Sequence, residues 1–259
     1  MRSVLITGAT INTGVAIVEK FASEGKNVVF TGRDPEKVAE AEKCYRAKFP
    51  NVNIIGYAID SLIDERTVNE RGVEEMFKFL FEKGIFIETL VLNAADQGLG
   101  QKIFESPITD IMKVINTNVV WNYSLCEHAA AIMRDAGGGN IVFINSNTAY
   151  RAIPDRVAYV TSKGGQLGLM RALAIDLGKY NIRVNAVLPG MIRTDRWEKN
   201  PDFYRDVPSR FTPIGDVADG ADIADAVWYF AEHARNTTGA ELVVDGGNTV
   251  QLYPIIPKE

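Results

Sequence analysis

The chain is poor in the residues that build disulfide frameworks and metal sites. Its 259 residues include two cysteines, Cys44 and Cys126, and two histidines, His128 and His233. The cysteines lie far apart and form no CxxC pair, and neither histidine stands at a metal-ligand spacing. We therefore expect no bound metal, and two unpaired thiols favour a reducing compartment such as the cytoplasm.

A surplus of positive charge is also lacking. The chain has 28 Lys and Arg against 33 Asp and Glu, a net charge of −5, whereas nucleic-acid-binding proteins normally carry a basic surplus. No stretch approaches the ~20 apolar residues of a membrane helix, and the short run Val4–Ile6 predicts a strand rather than a signal peptide. The lack of a GxxxxGK[ST] loop argues against phosphoryl transfer. The sequence thus predicts a small-molecule partner, with no nucleic acid and no membrane.

Short β-branched runs alternate with longer helical patterns from end to end. Most of these runs are apolar without alternation, as expected of strands that are covered on both faces of a parallel sheet. The order predicts one α/β domain over residues 1–259, a doubly wound sheet with right-handed crossovers. The predicted strands are Ser3–Thr7, Asn27–Thr31, Val52–Tyr57, Glu88–Leu92, Asn140–Asn145, Ile182–Val187 and Glu241–Val244.

Long helices are expected near Ile108–Met133 and Val157–Tyr180. The segment Met191–Asp216 interrupts the alternation with three prolines and several aromatic residues. A long irregular segment inside a compact domain is usually a lid or a binding loop, although a plain surface excursion also fits. Within it, Trp197 and Phe211 are candidates for a substrate wall.

A glycine-containing turn joins the first predicted strand to the first helix. Its sequence is Thr7-Gly8-Ala9-Thr10-Ile11-Asn12-Thr13-Gly14. Backbone N–H groups and the positive end of a helix dipole at such a turn suit a pyrophosphate. Asparagine tolerates the left-handed backbone almost as well as glycine, so Asn12 is compatible with the turn. Taken alone, the pattern would equally fit a tight structural turn.

The second predicted strand ends at Thr31-Gly32-Arg33. In nucleotide-binding folds an acidic residue at this strand tip grips the adenosine ribose. Here Gly32 stands at the position of the acidic residue, and the guanidinium of Arg33 is suited to bind a phosphate. This favours NADP(H) and leaves NAD(H) possible, and a solvated arginine that opens a loop is the alternative.

Tyr159 and Lys163 lie four residues apart and therefore share one face of a helix. Bringing a free tyrosine with a pKa near ~10 to neutrality requires roughly 4 kcal/mol. One positive charge about 4 Å away, at an effective dielectric near 20, supplies about that much. We therefore expect Lys163 to lower the pKa of Tyr159 enough for acid/base catalysis. A YxxxK pair by itself is common on helix surfaces.

The context of this pair is specific. Ser146 closes the strand before it, Asn118 lies in the helix upstream, and the segment Ile182–Thr194 and the run Thr238–Gly247 follow. In this order and spacing the motifs resemble the short-chain dehydrogenase/reductase family over essentially the whole chain. The resemblance implies a Rossmann-type domain with a seven-stranded parallel sheet and helices on both faces. It also implies hydride transfer between NADP(H) or NAD(H) and a carbonyl or secondary alcohol.

The resemblance assigns a role to each motif residue. Tyr159 matches the acid/base, Ser146 the serine that orients the substrate oxygen, and Lys163 the lysine that holds the nicotinamide ribose. Asn118 matches the asparagine that supports a water-based proton relay, and Asp60 the acid that contacts the adenine. The expected cofactor-binding residues are Gly8, Thr10, Asn12, Thr13, Gly14, Arg33, Asp60, Asn93, Tyr159, Lys163, Pro189, Gly190, Ile192 and Thr194.

The chain departs from the family pattern at three places. Asn12 replaces the second glycine, and Leu92-Asn93-Ala94-Ala95 stands where Asn-Asn-Ala-Gly is usual. Ile11 stands where NADP-dependent members often have a basic residue, which weakens the preference for NADP(H).

Two other functions stay open: a lyase or epimerase with retained nicotinamide, and a nucleotide-sensing binding protein without turnover. The substrate is not defined by the sequence. The resemblance further implies a homo-oligomer, a dimer or more often a tetramer, built on the helices Ile108–Met133 and Val157–Tyr180.

Overall fold

The computed structural model describes residues 1–194, 197 and 199–255. Parallel pairing joins seven strands in one sheet, and two further short strands form a hairpin. The strands are β1 (Arg2–Ile6), β2 (Asn27–Gly32), β3 (Ile54–Ala58), β4 (Leu62–Asp64), β5 (Thr67–Val68), β6 (Phe86–Leu92), β7 (Gly139–Ile144), β8 (Ile182–Pro189) and β9 (Glu241–Val244).

Helices follow most of the strands. They are α1 (Asn12–Ser23), α2 (Pro35–Lys48), α3 (Glu70–Glu82), α4 (Ile108–Ile115), α5 (Trp121–Asp135), α6 (Val157–Gly178), α7 (Pro201–Tyr204), α8 (Val207–Phe211) and α9 (Gly220–Trp228). Local chemistry sets several of their ends. Asp34 caps α2, whose first residue is Pro35, because proline lacks the N–H that would have no partner there.

The strand order β3-β2-β1-β6-β7-β8-β9 confirms the predicted seven-stranded, doubly wound parallel sheet. One face is covered by α3, α5 and α6, and the other by α1, α2 and α9, so each face has its own hydrophobic core. The strand order changes direction between β1 and β6: β2 and β3 are added on one side of β1, and β6 to β9 on the other. In open α/β sheets, ligands bind beyond the carboxyl ends of the strands at such a point.

Two elements differ from the sequence-based expectation. The helix expected over Ile108–Met133 is interrupted by a π-helical turn, Asn116–Val120, which joins α4 to α5. Such turns frequently mark functional sites, and this one holds Asn118. The β4–β5 hairpin was not predicted because its strands are only three and two residues long. It closes on the Asp64 carboxylate, which accepts hydrogen bonds from the backbone N–H groups of Arg66 and Thr67.

The segment predicted as a lid carries the short helices α7 and α8, and Ile192 forms an isolated parallel bridge with Ala218. Whether this segment moves remains a prediction. Among the described residues, no helix has the length and apolar character needed to cross a membrane.

Candidate active site

Tyr159 and Lys163 lie on successive turns at the start of α6, as predicted. Nζ of Lys163 is 5.5 Å from the centre of the Tyr159 ring. Ser146 follows β7 and lines the same cavity as Tyr159. A hydrogen bond links the Ser146 side chain to Tyr159. The structure therefore brings together three residues that the sequence separates by up to 17 positions.

Lys163 is almost completely buried, with 1% of its surface exposed. Its Nζ donates hydrogen bonds to the carbonyl oxygen of Ile144 at 2.8 Å and to Oε1 of Gln166 at 3.1 Å. Because burial disfavours the charged form, the pKa of Lys163 falls to about 7. The ammonium is therefore only partly populated at neutral pH.

The predicted depression of the Tyr159 pKa by Lys163 is wrong. Burial raises the pKa of Tyr159 above its ordinary value, and the Ser146 hydrogen bond and the Arg156 charge oppose that effect only in part. The reason is that one environment desolvates both groups. It penalises the phenolate and also lowers the charged fraction of the lysine that was expected to stabilise that phenolate.

Asn118 is fully buried in the π-helical turn. Its Oδ1 accepts from the backbone N–H of Asp96 at 2.7 Å, and its Nδ2 donates to the carbonyl oxygen of Asp96 at 2.8 Å and to Oγ of Ser162 at 2.9 Å. The side chain thus fixes the loop after β6 against α6. The backbone carbonyl oxygen of Asn118 accepts a hydrogen bond from Nε2 of Gln166 at 2.7 Å. Gln166 was not among the residues predicted from the sequence.

The glycine turn after β1 is shaped to receive an anion. Gly8 has φ +66°, and a Cβ there would lie 2.9 Å from Cα of Ala94. Asn12 adopts a left-handed conformation with φ +50°, which agrees with the expectation that asparagine is compatible with this turn. Among the described residues no side chain caps α1, and its first turn holds no acid, so its N–H groups can meet a pyrophosphate. Thr13 follows Asn12 in this first turn.

Gly14 and Asn93 shape this turn from behind. A Cβ on Gly14 would lie 2.5 Å from the carbonyl oxygen of Gly8. Nδ2 of Asn93 donates to the carbonyl oxygens of Thr7 and Gly8 at 3.0 and 2.9 Å. Both residues are therefore placed to hold the turn rather than to face a ligand directly.

The tip of β2 excludes an acidic side chain. A Cβ on Gly32 would lie 2.7 Å from Cγ2 of Thr10 and 2.8 Å from Cγ2 of Val38. Arg33 is exposed, and within the described part of the chain no hydrogen bond or ion pair engages its guanidinium. Asp60 lies beyond β3, where its Oδ1 accepts from the backbone N–H of Leu62 at 3.3 Å. Together with the turn, these residues fit a dinucleotide.

Comparison with known proteins decides the family. A family model described as enoyl-(acyl carrier protein) reductase matches residues 8–249. An uncharacterized oxidoreductase of Thermotoga maritima is 32% identical over 255 residues, 96% of each chain. A 3alpha-hydroxysteroid dehydrogenase of Mediterraneibacter gnavus is 32% identical over 245 residues, 93% of this chain and 94% of that one. The chain belongs to the short-chain dehydrogenase/reductase family.

This short-chain dehydrogenase/reductase also has close structural neighbours. The crystal structure of L-sorbose reductase from Gluconobacter frateurii, complexed with NADPH and L-sorbose, superposes with a TM-score of 0.86 at 27% identity, covering 96% of this chain and 97% of that one. The protein is accordingly an oxidoreductase that uses a nicotinamide cofactor and transfers a hydride between it and a carbonyl or alcohol substrate.

In this dehydrogenase/reductase, the residues expected on the nicotinamide side lie at the end of β8 and after it. The backbone N–H of Gly190 donates to the carbonyl oxygen of Val244 at 3.0 Å, and a Cβ on Gly190 would lie 2.6 Å from Cβ of Asp245. Pro189 ends β8, and Ile192 and Thr194 lie in the segment predicted as a lid. All of them lie at the carboxyl edge of the sheet, together with Ser146.

The enzyme has a cavity of about 790 Å³ beside Tyr159 and Ser146. Two parts of the chain form its far walls. The first is the described part of the predicted lid, and the second is the C-terminal segment 248–255, which the sequence analysis did not identify. The lining residues from these two parts are Met191, Tyr204, Val207, Phe211, Asn248, Gln251, Leu252, Tyr253 and Pro254.

The position of Phe211 in this cavity agrees with its predicted role in the substrate wall, but that of Trp197 does not. The Trp197 ring stacks on Tyr204 with centroids 4.4 Å apart and lines a second cavity of about 550 Å³. Trp197 therefore packs against Tyr204, which lines the first cavity.

Arg151 fixes the position of the C-terminal segment that lines the cavity, because its Nη1 donates to the carbonyl oxygens of Asn248 and Thr249 at 2.8 and 3.0 Å.

Proposed function

We propose that this enzyme is an NADP(H)-dependent reductase that interconverts a ketone and a secondary alcohol, with Tyr159 as the acid/base. The observation that carries the proposal is the shared cavity: the Tyr159 and Ser146 side chains line it together, and Lys163 lies behind Tyr159.

In the reduction, Tyr159 donates its hydroxyl proton to the carbonyl oxygen of the substrate, and Ser146 holds that oxygen by a hydrogen bond. The nicotinamide, when bound, supplies the hydride. Lys163 contributes positive charge next to the phenolate that forms. Tyr159, whose pKa is raised by burial, is protonated at neutral pH and therefore holds the proton that ketone reduction requires.

Preference for NADP(H) is the finer part of the proposal. Gly32 leaves no carboxylate to repel a 2′-phosphate, Thr10 packs against that strand tip, and Arg33 offers a guanidinium. A charge-assisted hydrogen bond contributes roughly 1.5–3 kcal/mol, or about ten- to a hundredfold in affinity. The pyrophosphate is proposed to lie at the N-terminus of α1, between Gly8 and Asn12. Asp60 is proposed to contact the adenine.

The size and walls of the cavity favour a carbonyl substrate with a bulky apolar end. Its volume lies in the upper part of the range for pockets that hold drug-sized ligands, roughly 300–1,000 Å³. Phe211, Val207 and Leu252 are placed to contact such a group. A lyase or epimerase on the same fold is the alternative, and it would consume no net cofactor.

The experiment is a cofactor-oxidation screen. Purified protein is mixed with NADPH or NADH and a panel of bulky apolar ketones, small ketones and ketoses, and cofactor absorbance and alcohol product are both followed. The proposal expects one NADPH consumed for each alcohol formed, with the bulky apolar ketones preferred. Product formed without cofactor consumption would favour the lyase or epimerase, and binding without any product would favour a nucleotide sensor.

We further propose a cytoplasmic homo-oligomer, a dimer or tetramer. Exposed apolar side chains on α4, α5 and α6, among them Ile108, Tyr123 and Ile175, support pairing of these helices across a two-fold axis. The unpaired cysteines support a reducing compartment. Light scattering that gave a monomer mass at micromolar concentration would contradict the assembly.

The segment 191–216 is proposed to close over cofactor and substrate as a lid. Hydrogen exchange in this segment should slow when both ligands bind. Exchange that is already slow without ligands and does not change on binding would show a static wall.

A further inference from the structure

Gln166 lies one turn after Lys163 on α6 and is almost completely buried, with 1% of its surface exposed. Its Oε1 accepts hydrogen bonds from Nζ of Lys163 at 3.1 Å and from Nδ2 of Asn145 at 3.2 Å. Its Nε2 donates to the carbonyl oxygen of Asn118 at 2.7 Å. If the Gln166 amide were flipped, its NH₂ group would face the two donors, Nζ of Lys163 and Nδ2 of Asn145. The hydrogen bonds therefore fix the orientation of the amide.

The amide therefore connects two residues of the expected catalytic group. On one side it accepts from the ammonium of Lys163, and on the other it donates to the backbone of the π-helical turn at Asn118. The family resemblance places a water-based relay on Asn118. In this chain, a protein side chain bridges the lysine and the Asn118 carbonyl oxygen directly.

We propose that Gln166 is a positioning residue for proton transfer, which acts through Lys163 and holds its ammonium charged and directed toward Tyr159. The inference rests on the proposed function. An ammonium buried at this depth needs acceptors for its protons. Within the described residues, the Ile144 carbonyl oxygen and Gln166 are the two acceptors that hydrogen-bond to it. Loss of the Gln166 acceptor shifts Lys163 toward the neutral amine, which no longer stabilises the Tyr159 phenolate.

Asn122 provides a matched control. It is also fully buried, and its Nδ2 donates to the same Asn118 carbonyl oxygen at 2.8 Å. No hydrogen bond joins it to Lys163 among the described contacts. Gln166→Met and Asn122→Leu each replace a buried amide by an apolar side chain of similar size, but only Gln166→Met removes an acceptor from the lysine.

The test compares kcat, KM and melting temperature for both variants with the best ketone of the screen. If the pKa of Lys163 drops by one unit, the charged fraction above neutrality falls about tenfold, so Gln166→Met should lower kcat by about tenfold with KM little changed. Asn122→Leu should lose thermal stability yet keep kcat within about twofold. Gln166→Glu, which retains an acceptor on Lys163, should recover most of the lost rate.

Equal losses of kcat in Gln166→Met and Asn122→Leu, or no loss in either, would overturn the inference. A second readout does not need turnover: the Lys163 pKa, titrated by NMR with carbon-13-labelled lysine, should fall in Gln166→Met and stay unchanged in Asn122→Leu. An unchanged pKa in Gln166→Met would also overturn it. If the wild-type protein reduces no ketone, the proposed function fails, and the titration still decides the role of Gln166.

Discussion

Nζ of Lys163 lies 5.5 Å from the ring centre of Tyr159, one turn further along the same helix. Burial acts on the two groups in opposite directions, because it raises the pKa of the Tyr159 hydroxyl and lowers that of the Lys163 ammonium to about 7. At neutral pH the pair is therefore a protonated tyrosine beside a partly charged lysine. At neutral pH Tyr159 therefore holds the proton that ketone reduction requires, whereas alcohol oxidation requires it to lose that proton first.

The two reaction directions should therefore differ in pH dependence. Ketone reduction needs the protonated Tyr159 and alcohol oxidation needs its phenolate. Since the pKa of Tyr159 is raised, the phenolate fraction grows with pH across the range from about pH 7 to about pH 10. We expect kcat/KM for reduction to fall above about pH 7, where the Lys163 ammonium loses its proton, and kcat/KM for oxidation to fall less steeply because the phenolate fraction grows. Steady-state kinetics in both directions measure this, and a reduction profile that stays level to about pH 9 would argue against a role for the charged Lys163.

Arg33→Gln should reduce the preference for NADP(H). The variant removes the guanidinium at the tip of β2, so kcat/KM with NADPH should fall by about ten- to a hundredfold while that with NADH changes little. Lys37→Gln is the matched control, because Lys37 is an exposed cation in the first turn of α2 that pairs with Asp34 at 3.9 Å. Equal efficiency with both cofactors in wild type and variant would identify Arg33 as an ordinary surface residue.

Asn12→Ala should destabilise the protein, whereas Asn12→Gly should not. Asn12 has φ +50°, and a left-handed conformation costs an ordinary L-residue about 1–2 kcal/mol, less for asparagine and almost nothing for glycine. Urea unfolding should show a loss of about 1 kcal/mol in Asn12→Ala. If the alanine variant unfolds at the same urea concentration as wild type, the turn does not require this conformation.

The sequence was sufficient to predict those features that depend on the type of a residue and of its immediate neighbours. The apolar runs predicted every strand of the main sheet, and Asn12 was judged compatible with the turn because asparagine tolerates a positive φ. Long-range features were not predictable in this way. The position of Trp197 behind Tyr204 depends on packing, and the pKa of Tyr159 depends on burial that the spacing to Lys163 does not reveal. Gln166 was missed because its partners come from three separate segments.

Leu252→Ala should weaken binding of a bulky apolar ketone. Leu252 lines the cavity yet is 75% exposed, so an apolar substrate would cover it and lose contact on truncation. We expect KM for such a ketone to rise about five- to tenfold, roughly the 1–1.5 kcal/mol of a partly buried leucine. KM for a small ketone should not change.

Val250→Ala is the control, because Val250 is in the same segment, 87% exposed and not among the cavity-lining residues. Similar effects of both variants would exclude a specific wall at Leu252.

The most direct test of the account is single-turnover ketone reduction by Tyr159→Phe, with NADPH affinity measured on the same sample. Tyr180→Phe, just beyond the C-terminal end of the same helix, serves as the control. The account predicts normal NADPH affinity and a loss of about 10²-fold or more in the reduction rate for Tyr159→Phe, because the substituted ring has no proton to give. Tyr180→Phe should match the wild-type rate. Reduction by Tyr159→Phe at a rate near that of wild type would contradict the assignment of Tyr159 as the proton donor.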